Sequence, residues 1–523
     1  MPRSVKLRLV LPVFLTALVA LLVAGCGGGG DSSSGSDPAS ITPAKSPVYL
    51  DFTIGPEGET KKNIEALAKN IAGIDDLGGL IAEELEKSSA ENGEEFDFEK
   101  EVEPWLGEEG GLFLGDYSTG NFQEIGAAFQ TNNEDEAREF VDKQVEAKSE
   151  GSKSRSYNGV DYVVEKDETG TTLGAFDGLV AFAQSEAIFK AMVDASEGEN
   201  LAEEDAFTSA MDNVPDESAA DVYVDIGGLI KEAGSEIDAN TQTFLDSLGV
   251  EPKEATAVAS LVPNSDNVEL DVSSNVSGGN PPSGDASELL GSLPGTAVGA
   301  VASAEFGKRF NEGITRIDEE GIPGQVPPHK LKKTLKEAGV DLEAIAESIG
   351  DVGVYVTGNS ERTLAGALVM EAESDTQATN TVSNVGLFLR KAGVPGVTKV
   401  TEGATGFSIR SPEFGRQPVV VAAKGSRIVI GYGIAATLSA FQESGKTLAD
   451  NSGFKEAEGA LGGTPMAAFV DGSAALNLAQ ALVPPGEAGF EEAQQYLRKI
   501  GYLAIGSEAS GDLATAKLIV GVK

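Results

Sequence analysis

Between residues 47 and 523 one plan is written twice, and this repetition limits the possible folds more than any other feature of the chain. Gly126-Ala-Ala-Phe-Gln is echoed by Gly366-Ala-Leu-Val-Met, and Leu201-Ala-Glu-Glu-Asp-Ala-Phe207 by Leu448-Ala-Asp-Asn-Ser-Gly-Phe454. Val222-Tyr-Val-Asp225 returns as Ala468-Phe-Val-Asp471, and Trp105-Leu-Gly107 stands where Ser348-Ile-Gly350 follows later. The matches keep one order at offsets of 240 to 247 residues (126 to 366, 201 to 448). A fixed order at near-constant offset is the mark of tandem duplication. The boundary falls in Ser277-Gly-Gly-Asn-Pro-Pro-Ser-Gly284. The expected organisation is a first repeat over 47–276, a linker over 277–292 and a second repeat over 293–523.

Each half reads as strands in hairpin pairs interrupted by amphipathic helices. Ile64, Leu67, Ala68 and Ile71 share one helical face, as do Ala378, Val382, Val385 and Leu389. Asn133 with Glu136 and Ser374 with Gln377 have the spacing of helix-opening capping boxes. Asn158-Gly159, Glu168-Thr-Gly170 and Asp177-Gly178 are hairpin turn signals. Hairpin pairing predicts largely antiparallel sheets, so the fold class is α+β, in two tandem homologous halves with packed amphipathic helices. The helix Ala137-Arg-Glu-Phe140 after Gly-Ala-Ala-Phe, Tyr157-Asn-Gly-Val-Asp-Tyr162 and Phe176-Asp-Gly-Leu-Val-Ala-Phe182 carry a resemblance. On these motifs the chain resembles the bacterial family called domain of unknown function 3352, whose members are exported or membrane-attached and duplicated. The resemblance implies the architecture and no activity.

The N-terminus carries an address. Arg3, Lys6 and Arg8 precede a 15-residue apolar run, Leu9 to Val23, followed by Ala24, Gly25 and Cys26. That is the layout of an export signal over residues 1–25, too short for a permanent span of about 20 residues. Leu22-Val-Ala-Gly-Cys26 resembles a bacterial lipobox, in which the thiol accepts diacylglycerol and becomes the new N-terminus. Cys26 is the only cysteine, and it is the expected lipidation site. Gly/Ser-rich residues 26–46 read as a flexible tether. The expectation is an extracytoplasmic protein held on the cell membrane by its lipid, with no cofactor beyond the diacylglyceryl and acyl groups on Cys26.

Composition excludes several chemistries. One Cys allows no internal disulfide, and one His with one Cys cannot build the usual zinc sites. A net charge of −44 opposes nucleic-acid binding. The charge is uneven: residues 47–290 hold 55 acids and 14 bases, and residues 291–523 hold 26 and 21. The acids crowd at Glu94, Glu95, Asp97, Glu99, Glu101, Glu103, Glu108 and Glu109, the pattern of a solvated face. The one basic cluster is Lys330, Lys332, Lys333 and Lys336, beside the sole imidazole, His329. Ser452 with Lys455 fits Ser-x-x-Lys, a pattern equally given by Ser452 capping a helix. No catalytic, cofactor-binding or metal-ligating residue emerges. The expected function is a non-enzymatic binding or envelope-interaction module, its partner an envelope protein, lipid or polymer. The alternatives are a carrier of lipid or another apolar ligand, marked by a long apolar groove, and an envelope-polymer hydrolase, marked by close buried carboxylates in a cleft.

Overall fold

The computed structural model describes residues 36–91, 97–115, 124–147, 152–165, 170–233, 255–275, 284–321, 326–337, 342–400, 403–441, 445–484 and 486–523. The chain divides into two compact units. Unit 1 runs to Pro281 and takes in Gly511–Thr515, and unit 2 holds Pro282–Ser510 and Ala516–Lys523.

Unit 1 contains β1 (Val48–Thr53), β2 (Leu106–Leu114), β3 (Ile125–Thr131), β4 (Ser152–Tyr157), β5 (Val160–Glu165), β6 (Thr172–Phe176), β7 (Leu179–Ala183), β8 (Ala220–Asp225), β9 (Thr256–Pro263) and β10 (Asn267–Asn275). Antiparallel pairing orders them β4-β5-β6-β7-β3-β2-β1-β8-β9-β10. Two of the turn signals work as read: Asn158 and Gly159 close β4–β5, and Asp177 and Gly178 close β6–β7, all four at positive φ; Glu168 and Thr169 of the third lie outside the described residues. Such backbone matches the twist of the strands it joins.

Unit 2 contains β11 (Ala297–Ser303), β12 (Val352–Thr357), β13 (Ala365–Glu371), β14 (Val397–Val400), β15 (Thr405–Ile409), β16 (Val419–Lys424), β17 (Arg427–Tyr432), β18 (Met466–Asp471), β19 (Ile500–Ser510) and β20 (Leu513–Val522). Its order is β14-β15-β16-β17-β13-β12-β11-β18-β19-β20. Matched in chain order, this is the order of unit 1. The fold is α+β.

The correspondence extends to single bonds. The Leu201 N–H donates to the Thr42 carbonyl at 2.9 Å, and Leu448 N–H to Leu293 at 2.8 Å. Phe207 meets Tyr223 edge to face at 5.1 Å, as Phe454 meets Phe469 at 5.2 Å. Asp225 and Asp471 each end a strand and turn inward to accept a backbone N–H of the helix that follows, from Gly228 at 2.8 Å and Ala474 at 2.9 Å. On one sheet face of unit 1, Tyr49, Phe113, Phe189, Met192, Leu201, Phe207 and Tyr223 form the core; Leu290, Leu293, Tyr355, Phe454, Phe469 and Tyr502 do so in unit 2.

Three expectations need correction. The tether does not extend to residue 46: Pro38–Ile41 is a short 3-10 helix capped by Asp37, and Ala39 and Ile41 are buried in the first core. Likewise the linker does not reach 292, because Ser287–Ser292 is helical with Leu289 and Leu290 buried in the second core. Both stretches look like linkers because their Pro, Ser and Gly content hides two or three apolar anchors. The helix Asp375–Lys391 buries Ala378, Val382 and Gly386, and Val385 is exposed. The Phe407 ring lies 2.8 Å from where a Cβ on Gly386 would sit, so the glycine seats the helix and turns Val385 outward.

Candidate functional site

The two units differ in chemistry at one matched place. Asp51, in the middle of β1, pairs with Gly111 on β2 and with Asp221 on β8; Asp221 pairs in turn with Ser260 on β9. Strand neighbours directly opposite hold their side chains close on one face, so two carboxyl groups meet on the core side of the sheet. Asp221 is 6% exposed. Its Oδ2 accepts from the Ser218 hydroxyl at 2.6 Å, and its Oδ1 is buried without a hydrogen-bond partner. Two residues before Asp51 on the same face, the Tyr49 hydroxyl is also buried and unpartnered. Gly111 makes room for it, since a Cβ there would fall 2.6 Å from the Tyr49 hydroxyl oxygen and 2.8 Å from Pro38.

Burial pushes the Asp51 carboxyl up to about 7, with Glu109, Asp37 and Asp221 adding repulsion. Burial likewise raises Asp221, against the hydrogen bonds of Ser218 and Ser260, and raises Glu109, which also feels Asp37 and Glu108. Burial and the surrounding carboxylates both oppose ionisation, so Asp51 favours a bound proton. In unit 2 the matching register brings Ala302 opposite Gly353, with Ala467 one step beyond the Val301–Ala468 pair. The strand order therefore forms without the carboxylates.

The residues singled out by sequence are scattered. Cys26, the signal 1–25 and the start of the tether lie outside the described residues, as do Glu94 and Glu95. Asp97 caps the short helix Phe98–Glu101, and Glu101 accepts from the Asp97 N–H at 3.2 Å. Of that acidic stretch, Glu109 acts on Asp51. His329 is exposed at φ 58°, its N–H donating to the Asp318 carbonyl. Lys332 is held by Glu343 at 2.7 Å and Thr315 at 2.8 Å, and Lys333 by Glu337 at 4.0 Å. The helix cap before Phe454 is Asn451, not Ser452: the Asn451 side chain accepts from Gly453 and Phe454 and donates to Asp471 at 3.1 Å. Among the described residues no three His, Cys, Asp or Glu side chains are grouped to hold a metal ion. No helix among them is long and apolar enough to cross a membrane.

A second feature was not read from the sequence. On the other sheet face of unit 2, register links Phe407, Val421, Ile430, Leu368, Val354, Val301, Ala468 and Ile505 into one apolar stripe across eight strands. The helix Asp375–Lys391 covers the Phe407 end. Beyond it the stripe opens, with Val354 39%, Val301 51% and Ile505 43% exposed, and Val356 on the same face at 41%. On the matching stripe of unit 1, through Leu112, Leu50 and Val222, Leu50 and Leu112 are partly buried against the core cluster that holds Phe52, Trp105 and Phe140. Where unit 1 has Trp105, the repeated motif of unit 2 has Ser348. Among the described residues, every strongly exposed large hydrophobic side chain except Leu80 belongs to unit 2, so the bare surface is a property of that unit. Each strand supplies one residue to the stripe, which only the register assembles.

These features define a two-unit antiparallel α+β protein with a carboxyl pair in one unit, Asp221 buried and Asp51 half-buried, and a bare apolar stripe in the other. The chain belongs to a family described as proteins of unknown function, DUF3352, whose model matches residues 15–517. No curated protein matches it. Two solved structures are similar over part of their length, crystal forms III and I of TP0453. The first has 13% identity over 47% of this chain and 82% of the other, with a TM-score of 0.25. The second has 9% identity over 78% and 96%, with a TM-score of 0.17.

Proposed function

We propose that this is a lipid-anchored, extracytoplasmic binding protein without catalytic activity, and that the open stripe of unit 2 takes the acyl chain of a membrane lipid. The stripe carries the reading. From Leu368 to Ile505 it crosses four inter-strand steps, about 19 Å at the usual spacing. It offers on the order of 300 Å² of apolar surface, far below the ~800 Å² per partner that a stable protein interface buries. An acyl chain needs only that, at about 0.8 kcal/mol per methylene buried. The carboxyl pair supports binding over hydrolysis, because Asp221 is closed off within the sheet and out of reach of a polymer.

The anchor reading rests on Leu9 to Val23 and Cys26. Eleven residues stand between Cys26 and Pro38, whose short helix belongs to unit 1; a stretch of that length spans at most about 40 Å. Unit 1 then works within that distance of the membrane. Changing Cys26 to Ser removes the acceptor thiol, so acyl mass and partition into detergent are expected to vanish; their persistence would refute the anchor. Extraction of the full chain in mild detergent, followed by native mass spectrometry, tests the ligand. A lipid bound at one per chain is expected, and a co-purifying protein without lipid would overturn the reading.

A further inference from the structure

From the opposed carboxyls on β1 and β8, Asp221 buried and Asp51 half-buried, we infer that Asp51 holds a proton in folded unit 1, and that its loss as the medium turns from acid to neutral loosens the joint between these strands. The geometry gives the pair nowhere else to put its charge. The two residues are directly opposite in the register, Asp221 Oδ1 has no partner, and the Tyr49 hydroxyl beside them is buried and unpartnered as well. The charged groups acting on Asp51 are Glu109 from β2, Asp221 from β8 and Asp37 from the segment before the first strand, and all of them are acidic. Ser218 and Ser260 donate to Asp221, whereas the hydrogen bond acting on Asp51 comes from the Phe52 backbone, so Asp51 is the carboxyl that keeps a proton. Unit 2 keeps the same strand order with Ala302 in the place of Asp51 and, by the repeated motif, Ala467 in that of Asp221, so the acids are an addition to the fold and not a requirement of it.

The direction follows from linkage. In the unfolded chain Asp51 releases its proton near pH 4, whereas in the folded unit it keeps it to about 7. Between those values the folded unit binds more protons, so the stability contributed by this proton is complete below about pH 4 and is lost as pH rises to about 7. The lone tryptophan, Trp105, is buried in unit 1, and its emission follows the unfolding of that unit within the full chain. From pH 5 to 7 the folded-to-unfolded ratio is expected to fall about tenfold per unit, then level off. Asp51→Asn is expected to abolish that slope and to leave unit 1 more stable than the wild type at pH 8. Should that variant fail to fold, Asp51→Ala with Asp221→Ala copies the alanines of unit 2 and is expected to be equally flat. A wild-type transition unchanged from pH 5 to 8, or a variant that keeps the slope, overturns the inference. So does calcium chloride that raises the transition at pH 8 beyond sodium chloride of equal ionic strength, which would make the pair a cation site.

Discussion

Glu186 shows the opposite electrostatic situation from Asp51. Its carboxylate accepts from Tyr162 at 2.7 Å and pairs with Lys190 at 2.9 Å and with Arg155. The Lys190 hydrogen bond first, then Tyr162, holds it down to about 2. A lowered carboxylate contributes stability above pH 4 that is lost as pH falls toward 2. The site is close to solvent, so Glu186→Gln is expected to cost only about 1 kcal/mol at neutral pH. Denaturant titration followed at Trp105 reads that cost, and the acid limb of unit 1 should become shallower in the variant. The sequence shows the i, i+4 spacing of Glu186 and Lys190. It does not show Asp51 meeting Asp221, because 170 residues separate them and only the adjacency of β1 and β8 joins them.

Among elements, the helices Asp205–Met211 and Ser452–Ala460 occupy matching places and drive Phe207 and Phe454 into the two cores. Each ring meets an aromatic residue of the next strand edge to face. Phe207→Ala and Phe454→Ala are therefore expected to cost alike, about 3–5 kcal/mol each. Trp105 emission reads the first and far-ultraviolet circular dichroism the second, and a large disparity would mean that the matched helices are packed differently. Local signals marked these elements well. The turns at Asn158-Gly159 and Asp177-Gly178 needed positive φ, and Ser374 caps its helix by accepting from the Gln377 N–H at 3.3 Å. Chain ends were harder, because Ile41 and Leu290 gain their burial from strands far away in sequence.

At the scale of the whole molecule, strand order is common to both units while charge and bare apolar surface are divided between them. Residues 47–290 carry −41 and residues 291–523 carry −5. Self-repulsion in the first falls when the Debye length shrinks to about 8 Å at physiological ionic strength. Moving the full chain from low to physiological sodium chloride is expected to raise the Trp105-detected transition more than the remaining one; equal shifts would show that the asymmetry has no mechanical consequence. The repeated motifs and the charge division are legible in one dimension. The stripe is not, since each strand alternates in the ordinary way and the exposure of Val354, Val301 and Ile505 shows only once the strands are paired.

Binding of a fluorescent long-chain fatty acid to the full chain, compared between wild type and Val301→Glu, addresses the role of unit 2 most directly. Val301 is half exposed at the middle of the stripe, so a carboxylate there leaves the core intact, which circular dichroism verifies. The expected result is saturable binding at one per chain, weakened at least tenfold by the substitution, because a charge set against an acyl chain must be desolvated. Absence of binding to the wild type, or equal affinity in both proteins, would contradict a lipid site on this face.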